Sequence, residues 1–217
     1  MANIKSHIVQ LFCLLFAVLA CAQQPAKSHV KNTKADTLLY SDGLPIRIGV
    51  KNGKIDQLSR TQPKNTQTVN PIYVAPGFID HQVNGYLSHS FVDPNLDESI
   101  VRKITERFQE NGITTFLPTL TSESSQVFLK NLGILNEILK NEDLGHSIPG
   151  FHLEGPYISP LDGFRGAHNA THIRDPDWDE FSSWHKASGQ RIKLITIAPE
   201  LNGSEAFIKN CIKDGIL

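Results

Sequence analysis

The sequence predicts an α/β protein in which parallel βα units follow a small β segment. From Pro76 to Leu217, short β-branched apolar runs alternate with longer stretches of helical period. Residues 37 to 70 instead hold short alternating strands and an Asn-Gly turn. Hydrophobic residues make up 40% of 217 positions, enough for a packed core.

In the β segment, Thr37 to Tyr40 is apolar and is followed by the turn residues Ser41-Asp42-Gly43. Ile46 to Val50 alternates, and Asn52-Gly53 is a strong short hairpin signal. About four strands result, a unit too short to be a stable domain alone. Beyond Pro76, Gly77 to Val83 is the first expected strand. Asp97 to Asn111 is an amphipathic helix closed by Gly112. Ile113 to Leu117 is a buried strand, and Ser122 to Lys140 has helical spacing. Gly150 to Leu153 is the third strand. Asp175-Pro176 is expected to start the next helix, with Asp175 as its N-cap. Ile192 to Ile197 is a fourth strand, Ser204 to Asp214 a helix, and Ile216-Leu217 would open a fifth strand. Four such units fit half of a (β/α)8 barrel or an open doubly wound sheet. No G-x-G-x-x-G follows the first strand, which weakens a dinucleotide-binding reading.

Charges nearly balance, at 21 basic and 22 acidic, so no nucleic-acid partner is expected. Of three cysteines, only Cys211 falls in the folded body, which excludes a disulfide framework there. The N-terminus carries Lys5 and the apolar run Ile8 to Ala20, shorter than the ~20 residues of a spanning helix. Residues 1–20 are therefore expected to be a signal peptide. Val18-Leu19-Ala20-Cys21 resembles a bacterial lipobox, with Cys21 lipidated. The alternatives are ordinary cleavage near Ala22 or a retained anchor. Residues 21–36 would be a tether. The expected location is outside the cytoplasm, membrane-anchored on the periplasmic or outer-membrane side, or cytoplasmic if the signal is unused. Any membrane contact would run through that anchor or signal.

Three clusters lie at C-terminal ends of expected strands, the active-site face of a barrel. In the first, strand period puts Asp80, Gln82 and Asn84 on one face and His81 and Val83 on the other. These residues suit either a functional row or a strand end capped by an Asx turn. In the second, His152 and Glu154 share a face just before Gly155-Pro156. A strand-end carboxylate suits a metal ion, and a buried hydrogen-bonded His/Glu pair is the other reading. The third, Gly163 to Asn169 with His168, lies in a long loop.

The segments PGFIDHQVNG (76–85), GITTFLPT (112–119), FHLEGPYISP (151–160), GAHN (166–169) and IAPE (197–200) together resemble the N-acetylglucosamine-6-phosphate deacetylases of the amidohydrolase superfamily. Order and spacing agree over residues 37 to 217. The resemblance implies that 76–217 form the first four βα units of a (β/α)8 TIM-type barrel. Residues 37–75 would be the N-terminal part of a small β-sandwich domain. It implies one divalent metal ion per site, zinc or iron, with Glu154 as a ligand. Ala167 and His168 would contact an amino-sugar substrate, and Gln82 and Asn84 would lie near the hydrolytic water. Asp80 and His152 would support the site, and His81 would point away. Hydrolysis would release acetate and glucosamine 6-phosphate. Two histidine ligands and the catalytic general base would lie beyond Leu217, so no catalytic residue is expected within this chain. The 217 residues are thus expected to be a fragment, inactive and poorly folded alone, and possible homodimers would concern the complete enzyme.

Two alternatives fit the same sequence. Export conflicts with a phosphorylated sugar, so another amidohydrolase acting on an unphosphorylated N-acyl substrate is one. A non-catalytic surface lipoprotein is the other.

Overall fold

The computed structural model describes residues 38–40, 42–61 and 72–217. The expected signal peptide, Cys21 and the tether lie outside the described residues. The chain divides into two compact units. The first comprises residues up to Gly77 with Gln109–Gly112, and the second comprises Phe78–Phe108 with Ile113–Leu217.

In the first unit, β1 (Leu38–Tyr40) pairs in parallel with β4 (Ile72–Val74). β2 (Ile46–Lys51) and β3 (Lys54–Arg60) form an antiparallel hairpin. Asn52 and Gly53 both have positive φ, 50° and 71°. That is the type I′ geometry the Asn-Gly pair selects. Arg60 forks onto Asp42 at 2.8 and 2.6 Å and lies over the Tyr40 ring. Among the described residues these strands make two two-stranded pairs, joined by a bridge between Leu39 and Pro45. β3 is almost wholly exposed.

The second unit is α/β. Its four-stranded parallel sheet has the order β5 (Phe78–Val83), β8 (Ile113–Thr121), β9 (Phe151–Glu154), β10 (Ile192–Thr196). Neighbours in space are successive parallel strands in the chain, with no reversal. A doubly wound sheet reverses its strand order at a switch point, and none is present among the described strands. A small hairpin, β6 (Gly85–Tyr86) and β7 (His89–Ser90), follows β5. The helices are α1 (Glu98–Glu110), α2 (Ser125–Ile138), the short α3 (Glu142–Gly145), α4 (Trp178–Ala187) and α5 (Ser204–Lys213). Leu217 N–H donates to Lys193 O at 3.0 Å, and Ile195 N–H donates to Leu217 O at 2.8 Å. This is a parallel ladder pattern, so the last residues align beside β10 as the start of a fifth strand would. Among the described residues no helix is long and apolar enough to cross a membrane.

Two boundaries moved. α4 starts at Trp178 rather than at Pro176, and its N-cap is Asp177, whose Oδ1 accepts from Glu180 N–H at 2.8 Å. Asp175 instead accepts from Asn202 at 3.3 Å. The later start puts Phe181 and Trp184 on the buried face. β8 runs past Pro118 because it changes partner. Its first half pairs with β5, and Thr119 to Thr121 pair with β9. In the core of this unit Phe116, Leu120, Phe128, Phe151, Leu153 and Trp184 are fully buried or nearly so. At about 25 cal/mol per Å2 of apolar surface, each such side chain stabilises the unit by roughly 2–3 kcal/mol.

Candidate active site

β9 reads Phe151-His152-Leu153-Glu154, and its period of two sends Phe151 and Leu153 into the core. His152 and Glu154 share the other face. In register, His152 lies beside Thr119, and Glu154 lies between Thr121 of β8 and Thr196 of β10. Glu154 therefore stands at the C-terminal ends of the central strands, where backbone geometry holds it rigidly.

His152 is 1% exposed. Its Nδ1 is 3.1 Å from His81 O, and its Nε2 is 2.8 Å from Thr196 Oγ1. A carbonyl only accepts, so Nδ1 carries the proton and Nε2 accepts the Thr196 hydroxyl. Burial pushes the His152 imidazole below its ordinary range, partly offset by the His81 carbonyl and the Glu154 charge. It is a neutral, fully partnered histidine beneath Glu154. Thr119 Oγ1 adds to this layer by accepting Val83 N–H at 2.9 Å.

Glu154 is the meeting point. Asn84 Nδ2 donates to Oε2 at 2.9 Å. His168 Nε2 lies 3.7 Å from Oε1, beyond a direct hydrogen bond. Both side chains are largely buried, at 19% exposure for Glu154 and 14% for His168. His168 comes from the loop after β9, and its Nδ1 sits 2.9 Å from Ser122 Oγ. Three residues separated by up to 84 positions, Asn84, Glu154 and His168, thus form one polar cluster.

The other site candidates fall outside these contacts. Asp80 Oδ1 accepts Gln82 N–H at 3.0 Å, an Asx turn at the end of β5, and Gln82 is exposed. His81 is exposed and contributes its carbonyl to His152. Ala167 is exposed beside His168. Ser122, at the end of β8, is a site residue that sequence reasoning missed. It stands in Thr121-Ser122-Glu123-Ser124, where nothing distinguishes it from the N-cap two residues on.

A catalytic divalent ion takes about three protein donors. Glu154 supplies one carboxylate, and among the described residues no group of three or more His, Cys, Asp or Glu side chains converges. The described residues do not by themselves supply three such donors. The cluster can orient a carboxylate, hold the His168 imidazole beside it and present both at the C-terminal end of the sheet.

No family model matches the chain. The Bos taurus and Homo sapiens N-acetylglucosamine-6-phosphate deacetylases are each 34% identical to it over 146 residues, covering 66% of this chain and 35% of the relative. The chain resembles N-acetylglucosamine-6-phosphate deacetylases over part of their length. The Bacillus subtilis deacetylase is 29% identical over 178 residues, covering 78% of this chain and 44% of its own. Among solved structures, the Thermotoga maritima deacetylase superposes with a TM-score of 0.64 at 27% identity, over 85% of this chain and 47% of that one. The Mycobacterium smegmatis deacetylase in complex with N-acetyl-D-glucosamine-6-phosphate reaches 0.66 at 24% identity, which supports the fold. It covers 84% of this chain and 47% of that one. The chain therefore spans between a third and a half of the length of these deacetylases.

Proposed function

We propose that this chain forms the first four βα units of a (β/α)8 amidohydrolase barrel whose whole hydrolyses the N-acetyl group of N-acetylglucosamine 6-phosphate. The observation that carries this is the convergence of Asn84, Glu154 and His168 at the C-terminal strand ends. The strand order β5-β8-β9-β10, running as in the chain, supports the barrel. Residues 37–75 belong on this reading to a small β domain.

Glu154 would give one oxygen to a divalent ion, zinc or iron, with the other donors coming from outside residues 38–217. When bound, such an ion acidifies its water and polarises a carbonyl. The chain's own residues have separate tasks. Asn84 fixes the Glu154 carboxylate through Oε2, leaving Oε1 turned to His168. His152 beneath it stays neutral and keeps β9 and β10 in register through Thr196. His168, with Ala167 beside it, would face the substrate. The general base also lies outside these residues.

The test is a chimaera in which residues 38–217 replace the corresponding segment of the Bacillus subtilis relative. With zinc or iron supplied, it should release acetate from N-acetylglucosamine 6-phosphate. Glu154→Ala should lower kcat at least about 100-fold, the scale for losing a metal ligand or its orientation. A folded chimaera without activity, or one indifferent to Glu154, sinks the reading.

A second reading concerns substrate and place. The apolar run Ile8–Ala20 ending at Cys21 favours export as a lipoprotein, and an exported enzyme would meet unphosphorylated N-acyl sugars. Comparing phosphorylated and unphosphorylated substrates on the same chimaera separates the two.

A further inference from the structure

Ser122 approaches His168 from the side opposite Glu154. Its Oγ lies 2.9 Å from His168 Nδ1, and its backbone N–H donates to the same nitrogen at 3.4 Å. A backbone N–H can only donate, so Nδ1 must present its lone pair there. The hydroxyl then donates to that lone pair as well. The proton of the neutral ring is thereby placed on Nε2, the atom 3.7 Å from Glu154 Oε1.

Gly155 makes this arrangement possible. It has φ +82°, and a Cβ there would collide with Ser122 Oγ. The residue next to the Glu154 carboxylate is thus bare of side chain where the Ser122 hydroxyl needs room. Ser122 itself is 6% exposed, and its hydroxyl is turned onto Nδ1.

We infer that Ser122 is a positioning residue that locks His168 in the Nε2–H tautomer, so that its ring offers a hydrogen-bond donor beside Glu154. This rests on the amide-hydrolase reading for its purpose: a donor at that place suits a carbonyl or hydroxyl oxygen of an N-acyl substrate. The geometry itself needs no substrate.

The test is nitrogen-15 spectroscopy of the histidine rings in the folded chimaera carrying residues 38–217, at a pH where they are neutral. His168 is assigned by the signals lost in His168→Gln. The wild-type ring should show the Nε2–H pattern alone. In Ser122→Ala the Nδ1–H form should rise about fivefold relative to Nε2–H, the effect of losing one hydrogen bond. Ser122→Thr, which keeps the hydroxyl, should restore the wild-type ratio. A wild-type ring protonated on Nδ1, or a Ser122→Ala ratio equal to wild type, overturns the inference. The tautomer is read without hydrolysis, so a failed acetate-release assay bears on the proposed function alone.

Discussion

β5 and β9 carry similar polar rows, yet the two strands hold them differently. β9 lies inside the sheet, paired on both sides, and its His152 is buried with every ring nitrogen partnered. β5 lies at the end of the described strand order. Its register against β8 is irregular between Asp80 and Val83, and Asp80 and Gln82 close a local turn. Buried polar groups must find partners or cost about 1–3 kcal/mol each. That demand fixes His152 to single atoms of two neighbouring strands, whereas water relaxes it for Asp80 and Gln82. A polar row becomes a defined constellation only where the sheet encloses it. Asn84 joins the site because it reaches the enclosed strand through Glu154.

The comparison can be broken most directly at His152. His152→Ala leaves Thr196 Oγ1 and His81 O without their partner and opens a hole in a fully packed layer. It should cost about 3 kcal/mol, read as a lower urea midpoint. A loss below about 1 kcal/mol would mean that enclosure does not set the difference between the strands.

Acid should act on the same side of the comparison. Burial holds His152 and His185 below their ordinary range, and the Nδ1 of His185 is buried without a partner. The unfolded chain then binds more protons than the folded one below about pH 6.5. The stability these groups contribute is complete above that pH and is lost as pH falls through their folded values. The urea midpoint should drop between about pH 7 and 5, and His185→Gln should flatten part of the slope. A midpoint rising over that interval contradicts it.

The smallest effect is expected at Asn84. Asn84→Ala removes one hydrogen bond at an accessible position and should cost at most about 1 kcal/mol. Its mark belongs in the acetate-release assay of the chimaera, through the freed Glu154 carboxylate. An Asn84→Ala cost equal to that of His152→Ala would put the two strands on the same footing.

Much of this was legible in the chain. The β-branched runs, the Asn-Gly hairpin and the polar row of His152 and Glu154 all announce themselves through local period. So did the strand-like alignment of Ile216-Leu217 beside β10. The β6–β7 hairpin was not legible, because its turn uses Leu87 and Ser88 at φ 54° and 65° rather than asparagine or glycine. Asp175 and Asp177 offer the same side chain as a cap. The choice falls to the burial of Phe181 and Trp184, which only packing reveals. Ser122 was hidden for a related reason. Its partner is 46 residues away, and a single serine in a Ser/Thr-rich stretch carries no pattern.

The strand order of the second unit has a consequence for how the chain is made. Each strand of this sheet pairs with the strand of the same sheet synthesised before it. Synthesis order and pairing order coincide. No strand emerging from the ribosome has to wait for a distant one, and every new βα unit adds to an edge already in place. The same coincidence keeps loop closure short at each step, because β8 reaches β5, β9 reaches β8 and β10 reaches β9 across one intervening segment of chain.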